Sequence, residues 1–287
     1  MASTEDRYLM KPKRDELAQS LKVESGRKPN LSNRAAESTC NWSKERAREY
    51  TESNLKKLED LQYHLYADSS KSLLIVLQGI DASGKDGVIR KVFTAFNPQG
   101  THVTSFKAPV GRELSHDFLW RTHAVSPARG SIGVFNRSYY EDLIVPILND
   151  SLSRSQLAAR VEHVKNFEKM LTDEGTFVLK FLLHISRDEQ WERLMARLDE
   201  PSRNWKFRMG DLAERERWDK YMATFSKIVS STSTAYAPWY VIPANSKWFR
   251  DFAVSDVVRA TLQGMNLKWP KPSADLSLAR RQLKNLK

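Results

Sequence analysis

Five short apolar runs, separated by segments with helical spacing, dominate the pattern of hydrophobic and polar positions. The runs are SLLIVLQ (72–78), THVTSF (101–106), GSIGVF (130–135), TFVLKFLLHI (176–185) and WYVIPA (239–244). Runs of this length are typical of buried strands, and strands that alternate with helices form parallel sheets covered on both faces. The pattern therefore predicts an α/β fold, a three-layer α/β/α sandwich around a central parallel five-stranded sheet.

Helical spacing fills the intervals between these runs. Within 41–66, Leu55, Leu58, Leu61 and Leu65 recur every three or four residues, with charged residues between them. This spacing places the leucines on one face of a helix that packs against the sheet. Further helices are predicted over 85–96, 113–123, 153–175, 189–198 and 248–265.

The segment GIDASGK (79–85) has the G-x-x-x-x-G-K spacing of a phosphate-binding loop. It stands between a predicted strand and a predicted helix, which is the context that such a loop requires. Its glycines allow backbone N–H groups to approach phosphate oxygens, and the next helix directs its positive N-terminus at the same anion. The residues expected to bind nucleotide phosphates are Gly79, Ala82, Ser83, Gly84, Lys85, Asp86 and Gly87.

Two aspartates in this segment distinguish it from an ordinary nucleotide-binding loop. In an ordinary phosphate loop the lysine is followed by a Ser or Thr whose hydroxyl binds magnesium. Asp86 stands at this position here, and the loss of the hydroxyl argues against an ordinary ATPase or GTPase. Asp81 lies inside the loop, where a carboxylate is tolerated if a divalent cation or a donor neutralises the repulsion from phosphates. We expect Asp81 to bind magnesium or manganese. The alternatives are that Asp81 caps the next helix and that Asp86 only complements the helix dipole.

A second cluster, FNRSYYED (135–142), follows the third predicted strand. Ligands of open α/β sheets bind at the carboxyl ends of the strands, so these side chains are expected to face the loop. Asn136 can hold a phosphate or a metal-bound water, and Arg137 can bridge phosphates with two hydrogen bonds. Glu141 is expected to position a nucleotide and Asp142 to bind magnesium. The alternative for these two is an acidic pair that stabilises a helix N-terminus.

Basic residues cluster in 197–220, which we call the lid. Arg197, Arg203, Lys206 and Arg208 fall within twelve residues, and aromatic residues such as Trp205 lie among them. A mobile basic segment can close over phosphates and stabilise their charge. A solvated surface segment is the alternative, although such a segment seldom contains aromatic residues.

The composition narrows the function classes. The chain has 287 residues, a net charge of +11 and a single cysteine, Cys40. One cysteine excludes an internal disulfide framework and a multi-cysteine metal site. The positive charge favours an anionic partner, such as nucleic acid, an acidic membrane surface or a polyphosphorylated molecule, unless it only maintains solubility. The absence of a long apolar run and of a secretory signal pattern predicts a cytoplasmic protein.

Three regions are predicted along the chain. Residues 1–54 are expected to form a partly helical N-terminal extension that is loosely packed over 1–40, and residues 55–265 the core with the lid. Residues 266–287 are expected to form a basic C-terminal tail.

Four motifs in order give the chain a family resemblance. LQGIDASGKDG, FKAP followed by ELSHDFLWR, FNRSYYED and PSRNWKFRMGDLAERERWDKY resemble the polyphosphate kinase 2 family over about residues 55–265. The resemblance implies a P-loop core similar in fold to thymidylate kinases, with a helical lid. It also implies reversible, magnesium-dependent phosphoryl transfer between inorganic polyphosphate and adenine or guanine nucleotides. A homo-oligomer, dimer or tetramer, is expected, with neither nucleic acid nor membrane as partner.

The resemblance also implies roles for individual residues. Asp81, Lys85, Asn136, Arg137 and Arg197 would be catalytic, and the FNRS form with Asn136 resembles the branch that phosphorylates AMP as well as ADP. The phosphate loop would hold the nucleotide phosphates while the polyphosphate chain enters from the other side. Polyphosphate would be gripped by Lys107, Arg112, Arg121, Arg203, Lys206 and Arg208.

Two other functions remain open at this point. An ATP-dependent nucleotide kinase of the thymidylate-kinase type would use the same core without polyphosphate. A nucleic-acid-binding protein would use the basic surface, with salt-dependent affinity and no turnover. The two aspartates of the phosphate loop argue against a nucleic-acid-binding protein, and so does the presence of a lid. A protein that only binds nucleic acid needs neither feature.

Overall fold

Six strands form the central sheet in a computed structural model, which describes residues 14–286. The five strands after the first are mutually parallel and lie within two residues of the predicted runs, which confirms those predictions. Their order across the sheet is β1-β6-β5-β2-β4-β3. The strands are β1 (Lys22–Val23), β2 (Ser72–Gln78), β3 (Thr101–Ser105), β4 (Ile132–Asn136), β5 (Thr176–His184) and β6 (Trp239–Pro243).

The predicted count of five strands is wrong because β1 adds an antiparallel edge strand. Lys22 pairs with Tyr240 and Val23 with Trp239. A two-residue strand is too short to produce an alternating pattern in the sequence, so only the pairing with a distant strand reveals it. All seven residues of β2 are buried, as expected for a central strand covered on both faces.

Helices connect the strands. Ser153 caps α7, and its side chain accepts a hydrogen bond from the backbone N–H of Gln156. The helices are α1 (Arg14–Leu21), α2 (Asn33–Glu37), α3 (Lys44–Asp68), α4 (Lys85–Val92), α5 (Trp120–His123), α6 (Glu141–Asn149), α7 (Arg154–Asp173), α8 (Arg187–Asp199), α9 (Met209–Glu216), α10 (Trp218–Thr232), α11 (Lys247–Gly264) and α12 (Leu276–Asn285).

The single helix predicted over 113–123 is wrong. The segment contains a 3-10 helix at Gly111–Ser115 and the short helix α5, with extended backbone at His116 between them. The Asp117 carboxylate accepts a hydrogen bond from the Leu119 N–H at 2.9 Å. Local bonding of this kind competes with the helical hydrogen-bond ladder and begins a new turn instead.

The N-terminal region packs into the core. Leu17, Leu21, Val23 and Ala36 are all buried, so the prediction of a loosely packed extension is wrong for these residues. The His184 ring nitrogen Nε2 lies 2.9 Å from the Ser32 carbonyl oxygen, which ties this region to β5. Residues 1–13 of the predicted extension lie outside the described part of the chain.

A buried ion pair fixes the segment that follows β4. Lys180 on β5 donates to Glu168 on α7 at 2.7 Å, and both side chains are completely buried. The hydroxyl groups of Tyr139 and Tyr140 donate to the same carboxylate at 2.8 and 2.7 Å. Because these tyrosines follow the end of β4 directly, the ion pair holds the FNRSYYED segment in place.

The C-terminal region ends in α12, whose residues are all exposed. Within residues 14–286, none of the helices combines the length and the apolar character needed to cross a bilayer.

Candidate functional site

The phosphate loop, Gly79–Lys85, joins the end of β2 to the start of α4. Gly84 at φ +105° caps the helix, and Ala82 at φ +67° also has left-handed backbone. A Cβ atom on Gly79 would lie 2.6 Å from the Ser83 Oγ and 2.7 Å from the Leu183 carbonyl oxygen. Only glycine fits at position 79, because the loop passes so close to the end of β5.

Lys85 closes the loop on itself. Its buried ammonium donates to the Gly79 carbonyl oxygen at 2.7 Å and to the Ile80 carbonyl oxygen at 3.3 Å. Burial lowers the pKa of Lys85, while the negative charge of Asp81 opposes that change. The Lys85 ammonium is therefore fixed against the backbone of the same loop that is predicted to bind the nucleotide phosphates.

Asp81 and Arg137 form the central ion pair of the site. The Arg137 Nη2 donates to the Asp81 Oδ1 at 2.6 Å, and Nη1 lies 3.7 Å from the Glu141 Oε2. Burial by itself raises the pKa of Asp81, but Lys85 and Arg137 outweigh burial and lower it to about 2. Burial raises the pKa of Glu141, although Arg137 opposes it. The ends of β2 and β4 thus bring opposite charges together.

Asp142 contacts a different arginine. Its Oδ2 lies 3.4 Å from the Arg121 Nη2, and its backbone carbonyl accepts from the Arg160 Nη1 at 2.8 Å. Among residues 14–286 there is no group of three or more His, Cys, Asp or Glu side chains arranged to hold a metal ion. Magnesium commonly binds proteins through one or two carboxylates plus substrate phosphates, and an ionised Asp81 has that donor chemistry.

Asn136 links the end of β4 to the residue after the phosphate loop. Its Nδ2 donates to the Asp86 Oδ1 at 2.9 Å, and the Asp86 Oδ2 lies 3.9 Å from the Lys206 Nζ of the lid. The Lys206 ammonium also lies over the Trp205 ring, 5.1 Å from its centroid. Three residues predicted from separate motifs therefore meet in the folded chain.

Two acidic residues of α9 hold the lid: Asp211 pairs with Arg197 within the lid, and Glu214 contacts the phosphate loop. The Asp211 Oδ2, almost completely buried, lies 3.0 Å from the Arg197 Nη1. The Glu214 Oε2 accepts a hydrogen bond from the Asp81 N–H at 3.1 Å. Burial, followed by repulsion from Asp81, raises the pKa of Glu214 to about 7. The sequence reasoning missed Asp211 and Glu214 because it followed only the basic residues of the lid.

The other predicted basic residues make contacts outside the loop. The Arg121 Nη1 donates to the Lys107 carbonyl oxygen at 2.7 Å, which anchors the exposed segment after β3. Arg112 lies over the Trp120 ring at 5.6 Å, and Arg203 pairs with a neighbouring glutamate of the lid, both on exposed surface. Arg208 is exposed at the start of α9.

Two residues of α8, Gln190 and Arg193, also hold the phosphate loop and were not predicted. The Gln190 Nε2 donates to the Asp81 carbonyl oxygen at 3.2 Å. Arg193 donates to the carbonyl oxygens of Ala82 and Ser83 at 2.9 and 3.1 Å. No spacing in the sequence marks these contacts, because α8 lies more than 100 residues after the loop.

Comparisons with known proteins relate the chain to one enzyme family. The sequence model of the family described as polyphosphate kinase 2 matches residues 41–270. An AMP/ADP-polyphosphate phosphotransferase of Meiothermus ruber is 48% identical over 76% of this chain and 81% of that protein. An ADP-polyphosphate phosphotransferase of Rhodopseudomonas palustris is 42% identical over 80% of this chain and 83% of that protein. A crystal structure of polyphosphate kinase 2 from Arthrobacter aurescens superimposes with a TM-score of 0.89 at 40% identity, covering 94% of this chain and 96% of the other.

Proposed function

The chain belongs to the polyphosphate kinase 2 family, and from this premise we propose that it transfers phosphoryl groups from inorganic polyphosphate to both AMP and ADP, reversibly. The name of the Meiothermus ruber relative supports both acceptors. We also propose that the core is a P-loop kinase core of the thymidylate-kinase type, on the basis of the loop between β2 and α4.

The contact between Asp81 and Arg137 beside the buried Lys85 is the observation that carries the proposal. An ordinary phosphate loop has little use for a carboxylate, whereas a site where two polyanions meet needs positive charge and a ligand for a bridging cation. The acceptor oxygen is already an anionic phosphate oxygen, so no general base is required. Catalysis then consists of alignment and charge neutralisation.

The phosphate loop holds the phosphates of the nucleotide, with the N-terminus of α4 directed at them. The polyphosphate chain approaches along the lid and the segment after β3, where Lys107, Arg112, Arg121, Arg203, Lys206 and Arg208 supply positive charge. A terminal oxygen of the nucleotide forms a bond to the terminal phosphorus of the chain. The bond from that phosphorus to the next bridging oxygen breaks, and a chain shorter by one phosphate leaves as an anion. Arg137 and Arg197 stabilise the charge during this transfer.

Magnesium, or manganese, would be held by Asp81, whose low pKa keeps it ionised at neutral pH. When bound, the ion would neutralise charge between the two phosphate chains. Asp142 would contribute only after exchanging its contact with Arg121 for the ion.

Asn136 supports the broader acceptor range. Its amide donates to Asp86, so the residue after the loop lysine keeps a neutral partner. An aspartate at position 136 would place two carboxylates within hydrogen-bonding distance and drive Asp86 toward the phosphates. We propose that the neutral amide at position 136 leaves room for a nucleoside monophosphate and adds no negative charge that would repel it.

The test is an incubation of the purified protein with magnesium, long-chain polyphosphate and either AMP or ADP, followed by chromatography of the nucleotides. Formation of ATP from ADP, and of ADP then ATP from AMP, is the expected result. Product from ADP alone would retain the activity and contradict the role given to Asn136. Turnover with ATP as donor but none with polyphosphate would replace the proposal with an ATP-dependent nucleotide kinase.

A further inference from the structure

Arg193 lies against the phosphate loop with every N–H of its guanidinium bonded. The side chain is 11% exposed, and its Nε donates to the Glu189 carboxylate at 2.7 Å. The two Nη1 bonds go to the loop carbonyls of Ala82 and Ser83. The two Nη2 bonds go to the carbonyls of Ala244 and Asn245, after β6, at 2.6 and 3.1 Å. A guanidinium has five N–H donors, so this fork is fully used.

These bonds determine which way the loop peptides face. No described peptide bond is cis, so the carbonyl and the following N–H of each peptide point in opposite directions. Because the Ser83 carbonyl faces Arg193, the Gly84 N–H points away from Arg193. The Ala82 carbonyl also faces Arg193, and the Ser83 N–H on the opposite side closes a turn onto the Ile80 carbonyl at 3.1 Å.

We propose that Arg193 is a positioning residue for phosphoryl transfer, which holds the phosphate loop so that the Gly84 N–H faces the bound phosphates. This inference rests on the proposed function, since it concerns the same phosphate site. Arg193 itself touches no reacting atom, because its donors are occupied by Glu189 and by four carbonyl oxygens of the backbone.

A second arginine leaves little room for the loop to shift. Arg250 on α11 is almost buried and pairs with Asp251 at 2.7 Å. A Cβ atom on Gly87 would lie 3.0 Å from the Arg250 Nη2. Glycine at 87 therefore lets the start of α4 approach this guanidinium, while Arg193 fixes the loop that precedes it.

Lysine cannot replace Arg193 in this role. Its three donors share one nitrogen atom, so it cannot serve two pairs of carbonyls on opposite sides of a planar fork. Arg193→Lys keeps the positive charge and a similar stem, which separates loss of geometry from loss of charge. Arg187→Lys is the matched control, because Arg187 is an exposed residue of the same helix.

The experiment measures Kd for ADP and for inorganic tripolyphosphate separately by calorimetry, together with kcat, KM for each substrate and the thermal unfolding temperature. For Arg193→Lys, we expect about a tenfold rise in Kd and KM for ADP, the ligand assigned to the loop, which corresponds to a loss of about 1.4 kcal/mol of binding free energy. Tripolyphosphate binding should change less than about twofold, within the range of surface effects. Arg187→Lys should match the unchanged protein in every measurement.

A loss of affinity for ADP alone supports the positioning role as proposed. A loss of affinity for tripolyphosphate alone would also support a positioning role, but would mean that the loop binds the polyphosphate chain and not the nucleotide. Equal loss for both ligands together with a lower unfolding temperature would overturn it, because that pattern reports general destabilisation. Unchanged binding of both ligands would also overturn it. Failure of the unsubstituted protein to bind either ligand would instead refute the proposed function, so the two failures are distinguishable.

Discussion

Asp81→Asn tests the central ion pair through both stability and turnover. The difference between the ordinary pKa of 3.8 and the value of about 2 for Asp81 corresponds to about 2.5 kcal/mol, since each pKa unit is worth about 1.4 kcal/mol. The side chain is 25% exposed, so solvent screening reduces the expected loss to about 1–2 kcal/mol. Asparagine keeps the shape of the side chain and removes the charge that balances Lys85 and Arg137.

The sign follows from the lowered pKa. The unfolded chain binds the proton more tightly than the folded protein, so the stabilisation is present above pH 3.8 and is lost as the pH falls toward 2. The free energy of unfolding should therefore differ between the two proteins at pH 7, and the difference should shrink below pH 4. Turnover with polyphosphate should fall by about a thousandfold, because a charge-stabilising group has been removed from the reacting site.

The assay is urea denaturation followed by circular dichroism at several pH values, with nucleotide chromatography for turnover. Asp60→Asn, on the exposed face of α3, is the matched control for loss of one carboxylate, and we expect it to change stability by less than about 0.5 kcal/mol. An Asp81→Asn protein that is as stable as the unsubstituted one at pH 7 would show that burial outweighs the two cations. Near-normal turnover would refute the assignment of Asp81 to the metal.

Three further predictions concern other parts of the molecule. Lys180→Met leaves Glu168 buried without its cation, and we expect urea denaturation to show a loss of about 3–5 kcal/mol, whereas a loss below about 1 kcal/mol would mean that the ion pair adds little to stability. Asn136→Asp opposes the Asp86 carboxylate, and we expect the ratio of AMP to ADP rates to fall by about tenfold; an unchanged ratio would contradict the role of the amide. Glu214→Gln should flatten the pH dependence of stability: the raised pKa, about 7 against 4.5, makes the folded protein lose stability as pH rises between these values, by at most about 3 kcal/mol. Urea denaturation at pH 5 and pH 8 measures the free energy of unfolding of both proteins. An equal change in that free energy between the two pH values would argue against a raised pKa of Glu214.

The local pattern of the chain determined its main elements and the phosphate loop. A buried apolar run followed by G-x-x-x-x-G-K predicts strand, loop and helix from adjacent residues, and the structure has β2, the loop and α4 in that order. The local sequence also marked Asp81, Arg137 and Lys206 as candidate site residues, because each lies in a motif that can be recognised without knowing its contacts. The rule that parallel strand ends meet at one edge of the sheet was enough to expect Asp81 and Arg137 to lie close together.

Contacts between distant segments were decided only by the tertiary structure. β1 exists because Lys22 pairs with Tyr240, and a two-residue strand carries no periodic signal of its own. Arg193 and Glu214 resemble many other charged helical residues in the sequence, and only the packing of α8 and α9 against the loop gives them their partners. Periodicity reports which face of an element is buried, whereas the partner of a buried polar group depends on how the elements are arranged in space.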